Sequence, residues 1–123
     1  MWWLSWLTTI GVLSFMPGDK LPEIKFTLFE IDKIVHFVLY FILVILMSFS
    51  FLENNSTKNE PFLKRIVLII ATGILIGSFI EIIQGSFIPN RAFDIFDIVA
   101  NSIGTFIGMI FFVKIRLNKL KIW

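Results

Sequence analysis

The stretch FIEIIQGSFIPNRAFDIFDIVAN, residues 79–101, decides the fold. It is oily enough for a membrane span, yet it carries Glu81, Gln84, Arg91, Asp94, Asp97 and Asn101. Pro89 sits near its middle, where a fixed φ and a missing N–H end a helix, and Asn90 suits a turn or cap. Residues 89–91 therefore read as a tight turn between two antiparallel apolar helices.

The rest of the chain extends that reading. Of 123 residues, 57% are hydrophobic and 16% charged, and the mean hydropathy is +0.88. A soluble domain is usually about 45–50% apolar. The charges leave four apolar runs, at 2–17, 34–52, 66–88 and 95–113. At about 1.5 Å per helical residue, the second and fourth reach roughly 28 Å, close to a hydrocarbon core of about 30 Å. The third is longer and spans with tilt, whereas the first reaches only about 24 Å. That first run has no Lys or Arg ahead of it and no small-residue cleavage site before Pro17, so it reads as a retained span. The runs are continuous, which excludes the alternation of a membrane β-barrel. The expectation is an all-α membrane protein, one domain over 1–123: a compact bundle of four transmembrane helices in the cell membrane.

Orientation follows from the basic residues. Lys58, Lys64, Arg65, Lys114, Arg116, Lys119 and Lys121 fall on one side, against Lys20, Lys25, Lys33 and Arg91 on the other. The positive-inside rule puts the richer side, with both termini, in the cytoplasm. The basic tail touches anionic headgroups, and Trp2, Trp3 and Trp123 act as interfacial anchors. With a net charge of only +2 and its cations at helix ends, the chain is not expected to bind nucleic acid. It has no cysteine, hence no thiolate metal ligand and no cysteine nucleophile. Residues 53–61 are a polar connector. In residues 18–33, Ile24, Leu28 and Ile31 recur at helical spacing, which suits a segment lying in the interface plane as a lid.

The polar residues fall in stripes. Asp32, His36 and Tyr40 are four apart and share a face of the second helix. Gly73, Gly77, Glu81 and Gln84 line one face of the third helix, and Asp94, Asp97, Asn101, Gly104 and Gly108 one face of the fourth. Tyr40, Glu81 and Asn101 lie at equal depth, about 9–11 Å from the outer helix ends. A charge near the centre of a span costs about 2.5–3.5 kcal/mol, so Glu81 and Asp97 should face the bundle interior. The glycine pairs allow close helix contact below them. The bundle is therefore expected to carry a polar pocket at its extracytoplasmic side.

In order and spacing, DKIVHFVLY (residues 32–40) and EIIQGSFIPNRAFDIFDIVANSIGTFIG (residues 81–108) resemble the VanZ-like family of small bacterial membrane proteins. The family pattern is Asp-Lys-x-x-His-x-x-x-Tyr, then Glu-x-x-Gln, an Arg, and Asp-x-x-x-Asn-x-x-Gly. Here it falls on Asp32, Lys33, His36, Tyr40, Glu81, Gln84, Arg91, Asp97, Asn101 and Gly104. Ser14 and Pro17 resemble a weaker upstream element, and Asp94 is a less regular position. The family is named for a protein associated with resistance to glycopeptide antibiotics, teicoplanin above all. The resemblance thus implies a role at the outer face, among cell-envelope precursors, and supplies no reaction.

The residues themselves leave several readings open. One is a purely structural polar network, with Arg91 paired to Asp94 or Asp97. Another is a binding site for an anionic lipid or cell-wall precursor. There Arg91 clamps the anion, Lys33 assists, and Tyr40, Gln84, Asp97 and Asn101 orient the ligand. A third is an intramembrane hydrolase or transferase, with His36 as acid or base, Asp32 orienting it and Glu81 as proton donor. A metal held by His36, Glu81, Asp94 and Asp97 lacks close ligand spacing in the sequence, so no metal and no cofactor is expected. A proton path is disfavoured, because the polar groups occupy one half of the bundle only.

Overall fold

The computed structural model describes residues 2–15, 28–52, 61–88 and 94–122, and side chains within 2–15, 33–52, 61–88 and 94–118. It contains four helices, α1 (Trp2–Ser14), α2 (Leu28–Leu52), α3 (Phe62–Phe87) and α4 (Ile95–Ile122). Three of them are long and apolar enough to cross a membrane: Lys33–Leu52, Phe62–Phe87 and Ile95–Asn118.

Of the expected first span, 2–17, residues 16 and 17 lie outside the described residues. Its helix has 13 residues, about 20 Å, and falls short of a hydrocarbon core alone. Its side chains and carbonyls nonetheless reach α2 and α3 at several heights of the bundle. The Trp3 ring lies 5.5 Å from that of Phe51, while the Ser14 carbonyl accepts a hydrogen bond from Gln84 Nε2 at 2.9 Å. Midway, Trp6 Nε1 donates to the Leu39 carbonyl at 2.9 Å, which gives the indole N–H a partner inside an apolar contact.

The other helices are longer than their apolar runs. The first turns of α2 take up residues 28–33 of the segment expected to lie in the interface plane; the remainder of that segment lies outside the described residues. Pro61 precedes α3, and its carbonyl takes the Arg65 N–H at 3.2 Å. At the far end Ile88 is extended, with φ −95° and ψ 125°, as the clash with a following proline requires. The turn at 89–91 lies outside the described residues. Asp94 begins α4, its Oδ1 accepting the Phe96 N–H at 2.9 Å, the bond of an N-cap. Past residue 113, Lys114 and Arg116 are good helix formers, and α4 continues through them.

Pairings across the bundle give the helix directions. Phe37 meets Gly104 and Phe41 meets Gly108, so α2 and α4 run parallel. Gly73 meets Thr105 and Gly77 meets Asn101, so α3 runs antiparallel to α4. The α2–α4 pair makes the most extensive contact. Its glycines explain why: a β-carbon at Gly104 would overlap the Phe37 carbonyl oxygen, and one at Gly108 would lie 2.8 Å from that of Phe41. Without side chains there, the two backbones approach directly. Leu39, Leu43, Val44, Met47, Ile69, Ile80, Met109 and Phe112 fill the core between the helices. Outward, Leu63, Leu75, Phe79, Phe87, Ile95 and Ile110 are more than half exposed, a surface suited to lipid. At one end, Arg65 of α3 and Arg116 of α4 both donate to the Leu52 carbonyl, at 3.3 Å each, closing the C-terminus of α2.

Candidate functional site

At the opposite end, polar side chains from α2, α3 and α4 come together. Lys33, three residues before His36 on α2, pairs with both aspartates of α4. Its Nζ lies 2.7 Å from Asp94 Oδ2 and in direct contact with Asp97 Oδ1. The His36 ring is held from two sides. Nδ1 is 2.9 Å from Asn101 Oδ1, and Nε2 is 3.6 Å from Asp97 Oδ2. An amide oxygen can only accept, so Nδ1 donates to Asn101, and Nε2 is the ring nitrogen that faces Asp97. From α3, Glu81 Oε1 accepts the Asp94 backbone N–H at 2.8 Å, tying the end of α3 to the start of α4.

Burial makes this cluster costly to assemble and hard to disturb. His36, Glu81, Asp97 and Asn101 are all at most 6% exposed. In such surroundings charges interact more strongly than in water, and removing one member leaves its partner uncompensated. Room for Asn101 comes from Gly77, where a β-carbon would lie 2.9 Å from Asn101 Nδ2. Tyr40, one turn from His36, is 1% exposed. Its hydroxyl has no hydrogen-bond partner among the described residues, and Glu81 lies nearby.

The residues singled out from the sequence thus divide. Lys33, His36, Glu81, Asp97 and Asn101 converge, with Tyr40 beside them. Gln84 does not join them through its amide nitrogen, which holds α1 by way of Ser14. Arg91 and the Asp32 side chain lie outside the described residues, and among the described side chains it is Asn101 and Asp97 that flank the imidazole. Asp94 was placed at the margin by its irregular position in the motif, yet it caps α4, pairs with Lys33 and binds Glu81. Its signal was local: an aspartate directly before an apolar helix. His36, Glu81 and Asp97 each offer one ligand atom, all within 4.8 Å of one another, a convergence across three helices that spacing along the chain does not reveal.

The cavities at the other end and flank differ in character. A crevice of about 380 Å³ is lined by Trp3, Met47, Phe51, Leu68, Ile69 and Thr72, with Lys64 and Arg65 at its edge. Another of about 460 Å³ lies between α3 and α4, against Ile70, Phe106 and Ile110. Both are lined mainly by apolar side chains.

A family model described as VanZ/LLP1 matches residues 2–117 of this sequence. The chain belongs to the VanZ/LLP1 family. The matched residues take in the polar cluster and the glycine contacts, and all of the helices but the C-terminal end of α4. An uncharacterized protein of Schizosaccharomyces pombe is 31% identical to this VanZ-like chain over 94 residues, 74% of this chain and 54% of its own length. The chain thus spans about half the length of that curated relative. No solved structure matches.

Proposed function

We propose that this VanZ-like membrane protein receives the polar headgroup of an anionic lipid-linked or cell-envelope ligand at the end of the bundle marked by Lys33, His36, Glu81, Asp97 and Asn101. The observation that supports this reading is the buried imidazole held between Asn101 and Asp97. Interhelical hydrogen bonds in membranes contribute only about 0.6 kcal/mol on average, a weak reason to assemble so many ionisable groups for cohesion alone. Arg91 supplies the forked donor set for the anion, while Lys33, shared between two aspartates, holds the acidic side chains in place. Tyr40 and Asn101 orient the ligand, and Gln84 fixes the neighbouring α1. The site opens to the extracytoplasmic side, with both termini cytoplasmic, as the bias of Lys and Arg suggests. Where the ligand is a cell-wall precursor, its capture alters sensitivity to glycopeptides such as teicoplanin.

A second reading is favoured by the same imidazole: hydrolysis or group transfer on a lipid-borne substrate, with His36 as acid or base and Glu81 as its proton partner. Native mass spectrometry of the chain released gently from its membranes tests the first reading. The wild type should retain a phosphorylated or otherwise anionic lipid that Arg91→Ala loses while keeping its fold. Equal retention by both, or none by the wild type, would refute it. Turnover of the retained lipid by the wild type, lost in His36→Gln with binding spared, would establish the second.

A further inference from the structure

We infer that His36, Glu81 and Asp97 form a site for one divalent first-row cation. The inference rests on the same end of the bundle being a functional site, but its readout is independent of any lipid. The donor set is one imidazole nitrogen and two carboxylate oxygens, a mixture that suits Mn²⁺, Fe²⁺ or Zn²⁺ better than a purely oxygen-seeking ion. The three ligand atoms lie within 4.8 Å of one another. Around a cation with bonds of about 2.0–2.2 Å they would close to roughly 3 Å, a small inward movement of side chains.

The surroundings agree with this assignment. Metal-bound histidines usually donate their second ring N–H to an oxygen that fixes the tautomer. Asn101 Oδ1 does so here at 2.9 Å, which leaves Nε2 as the metal-facing nitrogen. That nitrogen lies 3.6 Å from Asp97 Oδ2, a separation that one cation with bonds of about 2.0–2.2 Å to each atom could bridge. Asp97 Oδ1 meanwhile is held by Lys33, and Glu81 Oε1 by the Asp94 N–H, so both carboxylates are oriented before any ion arrives. A separate observation points to a ligand at the same place. The Tyr40 hydroxyl is fully buried and has no hydrogen-bond partner among the described residues, next to Glu81, where a cation-bound water or anion would satisfy it. A cation here would also explain how an acidic cluster accepts an anionic headgroup, since the metal bridges carboxylates to phosphate.

His36 is the one histidine in the sequence, which permits a test needing no variant. A tag-free full-length chain is stripped with EDTA, loaded with Mn²⁺ and studied by pulsed EPR. One tightly bound Mn²⁺ per chain, coupled to a single imidazole nitrogen, is the expected result. Absence of bound Mn²⁺, or bound Mn²⁺ without nitrogen coupling, overturns the assignment. Among variants, His36→Gln should abolish the coupling, Asn101→Ala should weaken binding roughly 10–100-fold, and Asp94→Asn should retain the nitrogen-coupled ion. Failure of this site is separable from failure of the lipid reading. Lipid retained by EDTA-stripped protein that takes up no Mn²⁺ sinks the metal alone. Nitrogen-coupled Mn²⁺ in a chain that retains no lipid sustains it.

Discussion

A graded series of glycine-to-alanine substitutions probes the α2–α4 contact most directly. At Gly104 the added methyl meets the Phe37 backbone carbonyl, which has no rotamer to escape into. The helices must move apart, and overpacking of this kind costs about 1–3 kcal/mol. Against it stands the helix preference for alanine over glycine, at most about 1 kcal/mol. Gly104→Ala should therefore lose about 1–2 kcal/mol net. At Gly108 the methyl would lie 2.8 Å from the Phe41 oxygen, about 0.6 Å inside the 3.4 Å at which ordinary contact begins. Its penalty should be smaller, close to balance with the propensity gain. Gly11 has nothing within 4 Å of the added methyl, so Gly11→Ala should be neutral or stabilising by a few tenths to about 1 kcal/mol. Unfolding in mixed detergent with rising SDS, followed by tryptophan fluorescence, reads all three. If Gly104→Ala proves as stable as wild type, or Gly11→Ala falls by as much as Gly104→Ala, the parallel α2–α4 backbone contact is wrong.

Three further expectations concern the polar cluster. Asn101→Ala strands the buried His36 Nδ1–H and should cost about 2 kcal/mol; the ¹⁵N spectrum of the single histidine should shift from one tautomer toward a mixture, and an unchanged spectrum would dismiss the Asn101 bond. Lys33→Met leaves Asp94 and Asp97 without its ammonium. It should cost about 2–3 kcal/mol, below the 3–5 kcal/mol of a fully buried pair because Lys33 is partly exposed. Adding Asp97→Asn should recover part of that loss, and strict additivity would contradict the pairing. Tyr40→Phe removes a hydroxyl that bonds no other group among the described residues, so stability measured in EDTA should change by less than about 0.5 kcal/mol. A loss above about 1 kcal/mol would mean that the hydroxyl serves the fold after all.

Much of this arrangement was legible in the sequence because membrane helices leave few choices for polar groups. Glu81, Asp97 and Asn101 recur at helical offsets inside apolar runs, and a helix carrying them must turn that face inward. The glycines below them mark close approach for the same reason, and both glycine pairs do face other helices. Partner identity was not legible, since it depends on rotations and heights of whole helices. The sequence offers Arg91 as partner for Asp94 and Asp97, whereas among the described side chains Lys33 holds both. Gln84 sits on the polar stripe yet turns its amide toward α1, because Ser14 ends that helix at the same height. Helix ends were misplaced where hydropathy and helix propensity diverge. Lys114 and Arg116 are polar enough to end an apolar run and still extend α4.

The parallel pairing of α2 with α4 has a consequence for biogenesis. These two helices make the closest contact, yet the whole of α3 separates them in the order of synthesis. When α2 and α3 first leave the ribosome, His36 and Glu81 must enter the bilayer before Asp97 and Asn101 exist to meet them. A charge near the middle of a span costs about 2.5–3.5 kcal/mol at insertion, so the first three helices carry that load unassisted. Arrival of α4 relieves it in a single docking step, bringing the aspartates to Lys33, the amide to the imidazole and Arg116 to the end of α2. Completion of the polar cluster is therefore a late event in synthesis, dependent on the arrival of the last helix.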